Sequence, residues 1–505
     1  MQRTDILLTT PQYEHAGAMP RTIKSTLPGL SYIKAYLNEV GVKSTVIDPY
    51  GENLGLEDTL KRIKEYDTRL YGISATYLDY DSLFSLTREI KKHNPSGRVI
   101  VGGWASFSYA DLLDTIRDID IVVVGPGEQT VQELVPAILK GTSIAQIKGI
   151  AFRVNDIPYF TGRRQGIVRL DDLLLPDVSD TPPFKFKHST IFNYYSSRGC
   201  PNSCKFCTIG QMHESYNAMS ARKVVDDLVK TLYKYPEVDL LSLSDDLFDI
   251  RRLPGIIEEM ERRGVPDDLK LLFQSSAHNV NTNERILQDA AIRGRIDRLD
   301  MGIETFSDRT LRFFAKPATG RINWNAVEIV TANNIQSMAY TIIDPTVKEI
   351  VDTRQYYVHP HFWPKNIWMN CLKVFPYTRL AKEKVKDAVK PWQVAFQEAM
   401  FVFHQFRPSL VELHTLYDKG IAGLRENAEQ DPVFRAKYEQ FQKKDALMKQ
   451  ETNSVVQSHF DFALEVAMGL QNSDRRPDLK AIVGQKKEEM KASVDRITKL
   501  IRAPG

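Results

Sequence analysis

Short β-rich runs and helical segments alternate along most of this chain, and that alternation decides what it can fold into. Within residues 1–140, "DILLTT", "KSTVIDPY", "LYGISAT", "RVIVGG" and "DIVVVGPG" read as strands. Helices are expected over "LPGLSYIKAYLNEVG", "DTLKRIKEY", "YDSLFSLTREIKKHNP", "ADLLDTIRDI" and "EQTVQELVPAILKG". Strands apolar nearly throughout, each followed by a helix, predict a parallel sheet covered on both faces. Ligands of such sheets sit beyond the carboxyl ends of the strands. The loops there, "TTPQYEHAG", "SATYLDYD", "GGWASFS" and "GPGEQT", are rich in Gly, Ser and Thr. Those residues permit close backbone approach and offer small hydroxyls, although an ordinary set of turns looks the same. No G-x-G-x-x-G follows the first strand, which argues against a dinucleotide.

Further along, "GIAFRVNDIPYFTG" suggests a hairpin and "DDLLLPDVSDTPPFKF" an irregular connector. Alternation then resumes with "STIFNYYSS", "VDLLSLSDDLF", "LKLLFQSS", "RIDRLDMGIET", "NIQSMAYTII" and "NIWMNCLKVF" as strands. Six such units suit a partial barrel of parallel strands, with its chemistry at the strand carboxyl ends. Past residue 380 the pattern is helical, and the aromatic "PWQVAFQEAMFVFHQF" reads as a stripe packed on a neighbouring domain. The expected class is therefore α/β. A doubly wound, Rossmann-like domain spans 1–145, a connector 146–190, a partial (β/α)6 barrel 191–380 and a helical domain 381–505.

Composition excludes several functions. The net charge is +3 over 505 residues with no concentrated Lys/Arg block, so nothing calls for nucleic acid. No apolar run reaches the length of a membrane span, and the start "MQRTDILLTTPQY" is too short in apolar residues for a signal peptide. The chain has four cysteines, and with no export signal a reducing cytoplasm is expected, where clustered thiols mean metal or redox chemistry.

Three of those cysteines, Cys200, Cys204 and Cys207, share one loop in "YSSRGCPNSCKFCTI". The spacing is C-x3-C-x2-C, following a strand. Three thiolates can hold three irons of a cubane cluster and leave the fourth open to a small chelating molecule. A Cys3His zinc site completed by His213 is the competing assignment. The odd count and the compartment disfavour a disulfide.

"CPNSCKFC", with the aromatic Phe206 before the third cysteine, resembles the signature of the radical S-adenosylmethionine (SAM) enzymes. The resemblance implies a [4Fe–4S] cluster on Cys200, Cys204 and Cys207, its open iron chelating SAM, and reductive cleavage to a 5′-deoxyadenosyl radical. "LSLSDDLF", "FQSSA", "MGIET" and "VFPYTRL" are similar to the later strand ends of that family. By that similarity Phe206, Ser244, Gln274 and Glu304 are cofactor contacts. Asp245 and Asp246 are either SAM contacts or solvated or helix-capping acids.

The first domain, with "LPGLSYIKAYL", "GGWASFS" and "VVGPGEQTVQEL", resembles the cobalamin-binding subclass, so that the resemblance covers about residues 1–380. It implies cobalamin near Ser74, Thr76, Gly102, Gly103, Gly125 and Glu128. The loop "YEHAGA" has His15 but lacks the Asp and Gly of the D-x-H-x-x-G pattern that supplies a lower cobalt ligand in many B12 proteins. A cobalamin-dependent methyltransferase acting on an unactivated carbon is the function expected, on a small or lipid-like substrate, with flavodoxin or ferredoxin as electron donor. The alternatives are a non-methylating cyclisation or rearrangement, an iron–sulfur or B12 sensor or carrier, and a zinc-stabilised interaction protein. Cys371 is a hydrogen donor or a small buried hydrophobe. Tyr194, Tyr195 and Tyr377 are proton donors or space fillers.

Overall fold

The computed structural model describes residues 1–11, 28–49, 51–52, 54–77, 79–164, 166, 169–181, 184–186, 189–213, 215–357, 359, 366–370, 372, 374–375 and 377–383. It also describes positions 393, 450, 457–464, 466–468, 488, 491–492 and 495. They fall into two compact units. The first holds residues 1–275, 283–299 and 374–385; the second holds 276–282, 300–373 and 386–505.

The first unit opens with strands β1 (Ile6–Thr9), β2 (Ser44–Val46), β3 (Leu70–Ser74), β4 (Arg98–Gly102) and β5 (Ile121–Val123). They form a parallel sheet in the order β2-β1-β3-β4-β5. Side chains alternate across a strand, and here both sets are buried. Leu7, Ile73, Val99, Val101 and Val122 pack on one face with Ile63, Leu83, Leu86, Ile90, Leu112 and Leu113. Ile6, Leu8, Leu70, Ile100, Ile121 and Val123 pack on the other with Leu30, Leu37, Val131, Leu134 and Val135. The second set comes from helices α1 (Pro28–Glu39) and α2 (Glu128–Leu139). Two covered faces are why these strands read as continuous apolar runs.

The hairpin expected after residue 145 forms as β6 (Ile150–Val154) and β7 (Ile157–Phe160). It adds antiparallel to β5, so the sheet continues into the stretch read from sequence as connector. Strand order reverses between β1 and β3, where ligands of doubly wound sheets bind.

A second sheet follows in the same unit. β8 (Phe184–Phe186) pairs antiparallel with β9 (Ser189–Tyr194), and β10 (Leu240–Leu243) and β11 (Lys270–Ser276) continue parallel. β8 lies in the stretch expected to be irregular. Helix α3 (Ala221–Lys234) crosses from β9 toward β10. Its Ser220 N-cap accepts from Lys223 N at 3.1 Å, and it buries Val224, Val225 and Leu228. Strand β12 (Ile296–Glu304) carries the chain into the second unit, where β13 (Met338–Ile342) and β14 (Asn366–Asn370) continue in parallel register. All six strands expected over 191–380 are present, and the chain is α/β as anticipated.

Of the region past residue 385, the described part is chiefly helix 457–464, with Phe460, Ala463 and Leu464 buried and Asp461 paired twice to Arg354 at 2.7 Å. The aromatic segment over 391–406 lies outside the described residues apart from Gln393, and His15 and Cys371 lie outside them too. Among the described residues no helix is long and apolar enough to cross a membrane.

Candidate functional site: the cysteine loop and the first sheet edge

The three cysteines lie just past β9, on a loop bracketed by a two-residue ribbon that pairs Ser197–Arg198 with Asn217–Ala218. None of the three is in a disulfide, and all are half-buried. Cys207 N donates to Cys204 O at 3.2 Å, closing the turn that carries two of them. Burial pushes the Cys207 thiol up to about 12.

The loop backbone is held by the acids at the end of β10. Asp245 Oδ1 accepts from Ser196 N at 2.6 Å and Ser197 N at 2.8 Å. Its Oδ2 accepts from the Ser196 and Ser197 hydroxyls at 2.6 and 2.7 Å. Arg252 sits 3.7 Å from the same carboxylate and donates to Ser196 Oγ, Ser196 O and Met219 O. Asp245 is therefore neither solvated nor a helix cap; it is buried, and both of its oxygens are spent on the loop. Burial raises its pKa, against those hydrogen bonds and Arg252. Asp246 accepts from Gly199 N at 2.8 Å, and burial raises it too. Gly199 has φ of 82°, and a Cβ there would stand 2.3 Å from Ser215 O, so no other residue fits the loop as built.

From the far side, Arg379 Nη1 donates to Ser203 O at 3.0 Å and Leu380 N to Lys205 O at 3.0 Å. This is the "VFPYTRL" stretch, and its observed task is to brace the cysteine loop. Phe206 is half-buried within that loop.

Ser244 and Gln274 come together. They lie one register step beyond the pair Leu243↔Phe273, at the carboxyl ends of adjacent strands. Ser244 is half-buried and Gln274 exposed. Glu304 belongs to the second unit. It has φ of 61°, follows a register shift at the end of β12, and accepts from Lys316 Nζ at 2.8 Å. A Cβ on Gly302 would come within 2.9 Å of the Glu304 carboxylate, so that glycine makes its room. A non-glycine residue held at positive φ marks strain that the surroundings must enforce.

At the edge of the first sheet, Ser74 and Gly102 end β3 and β4 and are partners across them. Thr76 is exposed just beyond. Gly103 has φ of 80°, and a Cβ on it would meet Ala75 O at 2.5 Å. Gly125 has φ of 88° and nothing within 4 Å of such a Cβ. Glu128 opens α2 and is buried. Its Oε1 accepts from Arg198 Nη2 at 2.5 Å, while Oε2 has no partner. Burial would raise Glu128, but Arg198 overrides it and the group is held below its ordinary value.

His213 Nε2 stands 3.7 Å from Asp246 Oδ2. Burial, then Arg198, lowers it to about 4. Among the described residues, no three His, Cys, Asp or Glu side chains converge as a single metal ion requires. Three cysteines on one loop, none in a disulfide, fit the corners of a cubane, whose irons each take one thiolate, better than a single tetrahedral ion. Cobalamin also fits what is present. The buried hydroxyls Ser106 Oγ, after β4, and Thr130 Oγ1, in the first turn of α2, lack partners, and an unpaired buried polar atom calls for a ligand or water.

Sequence reasoning missed Arg198, Gly199, Asp245, Asp246 and Arg252 as a holding frame. The only signal was charge in "SSRGC" and "SDDLFDIRR".

Comparison with known proteins agrees with this arrangement. Residues 25–135 match the B12 binding domain and residues 194–356 the radical SAM superfamily. The chain belongs to the cobalamin-dependent radical SAM enzymes. It is 28% identical over 368 residues to an uncharacterized methyltransferase of Pyrococcus horikoshii, covering 70% of this chain and 78% of that one. It is 23% identical over 387 residues to the anaerobic magnesium-protoporphyrin IX monomethyl ester cyclase of Synechocystis sp., covering 71% and 75%. Its fold is shared with the cobalamin-dependent SAM radical enzyme OxsB, solved with aqua-cobalamin and SAM bound. That match has a TM-score of 0.64 at 14% identity, over 99% of this chain and 84% of that one.

Proposed function

We propose that this radical SAM enzyme is a methyltransferase that moves a methyl group from cobalamin to an unactivated carbon of a small or lipid-like substrate. The observation that carries the reading is three cysteines, none in a disulfide, on a loop whose backbone is fixed by Asp245 and Asp246. That loop stands in the same compact unit as a B12-type sheet. When bound, the cluster supplies an electron for reductive cleavage of SAM, and the corrin carries the methyl.

The chain's own residues bind and orient. Cys200, Cys204 and Cys207 hold the cluster. Ser244 and Gln274 offer hydroxyl and amide partners to SAM beside it, and Phe206 packs in the loop. Ser74, Thr76, Gly102, Gly103, Gly125 and Glu128 seat cobalamin, with the glycines giving the close approach that a Cβ would block. The domain reading is cobalamin binding over 1–145 with the hairpin 150–160 added to its sheet, a connector from there to 190, a radical SAM barrel over 191–380 and a helical domain over 381–505. A cytoplasmic setting with flavodoxin or ferredoxin as electron donor completes it.

The second reading, cyclisation or rearrangement without methyl transfer, draws on the similarity to a cyclase. Anaerobic reconstitution with iron, sulfide, hydroxocobalamin and SAM, then mass analysis of a cell extract treated with the enzyme and dithionite as electron source, separates the two. Methyl transfer requires both S-adenosylhomocysteine and 5′-deoxyadenosine with a product heavier by one methylene. 5′-Deoxyadenosine without S-adenosylhomocysteine refutes it and favours the second reading. Neither product, with cobalamin and cluster both bound, leaves a sensor or carrier.

A further inference from the structure

The buried pair Glu128–Arg198 joins the two cofactor regions, and it lies wholly within the first unit. Glu128 is 6% exposed at the start of α2, directly after the Gly125–Pro126–Gly127 turn at the edge of the first sheet. Arg198 lies two residues before Cys200. Its guanidinium is 5.6 Å from the ring centre of Tyr32 on α1 and 5.5 Å from that of Tyr195, and these rings stack on each other at 5.6 Å. The arginine is thus fixed by a charge on one helix and an aromatic face on another.

The backbone is pinned on both sides of Arg198. Gly199 is held by Asp246 and by its own positive φ, and Ser196 and Ser197 by Asp245. Glu128 therefore reaches the cysteine loop through one side chain and a two-residue stretch of pinned backbone. The unpartnered Glu128 Oε2 is buried at the sheet edge, and a cobalamin seated there would have corrin carboxamides able to donate an N–H to it. An unpaired carboxylate oxygen there costs free energy until such a donor arrives.

We propose that Glu128 and Arg198 are a coupling pair of positioning residues. Cobalamin binding at the sheet edge favours the cluster-holding arrangement of the cysteine loop, and cluster loading tightens cobalamin binding by the same factor. This rests on the cofactor placement proposed above. The reciprocity is thermodynamic, and couplings of this kind run at roughly 5- to 150-fold; one buried ion pair should supply about tenfold.

The test is a visible-absorbance titration of hydroxocobalamin into anaerobic protein, with and without the reconstituted cluster. Wild type should bind about tenfold more tightly when the cluster is present. In Glu128→Gln and in Arg198→Gln the ratio should fall to one. Because each single change strands a buried partner and threatens folding, the double variant Glu128→Gln/Arg198→Gln is made as well. It removes both charges together and should also give a ratio of one. The electron paramagnetic resonance spectrum of the reduced cluster should respond to added cobalamin in wild type but not in the double variant. A loss of stability alone moves neither the ratio nor that response. If wild type binds both cofactors with a ratio of one, or the double variant keeps the tenfold ratio, the coupling is refuted. If wild type takes up no cobalamin or no cluster, the cofactor placement fails instead.

Discussion

Replacing Asp245 tests whether the cysteine loop is held by its carboxylate. In Asp245→Ala, the N–H groups of Ser196 and Ser197 lose their acceptor. Each stranded buried N–H costs about 1–3 kcal/mol, so the pair costs roughly 4 kcal/mol, or about a thousandfold in the ratio of held to released loop. Asp245→Asn is milder. Its carbonyl oxygen still accepts both N–H groups, and its amide faces the two hydroxyls. Ser197 Oγ can donate to Leu247 O, already 3.3 Å away, while accepting from the new amide. Ser196 Oγ already accepts from Arg252 and has no such outlet, so about 2 kcal/mol is lost with the charge assistance. The assay is iron and sulfide per chain after anaerobic reconstitution, beside thermal unfolding of the same samples. Iron uptake should fall in the order wild type, Asn, Ala. Equal uptake and stability in all three would show that the hydrogen bonds do not position the loop.

Other perturbations separate the two sites. Gly103→Ala places a Cβ 2.5 Å from Ala75 O at a φ of 80°; strain of about 1–3 kcal/mol in this glycine-only region should weaken hydroxocobalamin binding by about 5- to 150-fold, with iron uptake unchanged. His213 should leave a pH signature. Its pKa falls from 6.5 unfolded to about 4 folded, so the unfolded chain takes up the proton first as pH drops. The stability it contributes is fully present above pH 6.5 and is lost between 6.5 and 4, reaching about 3 kcal/mol. The raised Asp245 and Asp246 slope the other way, so the check is the difference in urea unfolding between wild type and His213→Gln, which should widen toward neutral pH. Glu383→Ala removes the partner of Lys205 at 2.9 Å. Both side chains reach solvent, at 22% and 42% exposure, so unfolding should change by no more than about 1 kcal/mol.

The architecture was legible where burial is two-sided. β3 and β4 could not be mistaken, because Leu70 and Ile73, or Val99 and Ile100, face opposite cores. β8 escaped notice because it is three residues long, follows Pro182 and Pro183, and takes its pairing from β9. The hairpin at 150–160 was visible, but its docking on β5 was not, since alternation reports which side chains are buried and not which strand they meet. The cysteines announced themselves by spacing. Their frame did not. An acid at a strand end looks the same whether it meets solvent, a cofactor or a backbone 49 residues earlier, as Asp245 meets Ser196. Glu128 and Arg198, 70 residues apart, carry no local pattern at all.

Why carboxylates hold this loop follows from what the loop must leave open. Three thiols that receive a cofactor cannot be fixed by packing side chains over them, because the packing would cover the sulfur atoms. The neighbouring backbone N–H groups of Ser196, Ser197 and Gly199 must still be satisfied. Acids at the end of the adjacent strand do both tasks: Asp245 and Asp246 grip the main chain from below and leave the cysteines half-buried. The cost is two acids out of water within a few residues, visible in the raised pKa of both. Arg252 and Arg198 offset that cost, Arg252 by its approach to Asp245 and Arg198 through its field on Asp246. Arg198 is also the residue that meets Glu128. The charge needed to neutralise the frame is the same charge that ties the loop to the first sheet, so the loop cannot be loosened without disturbing the edge where α2 begins.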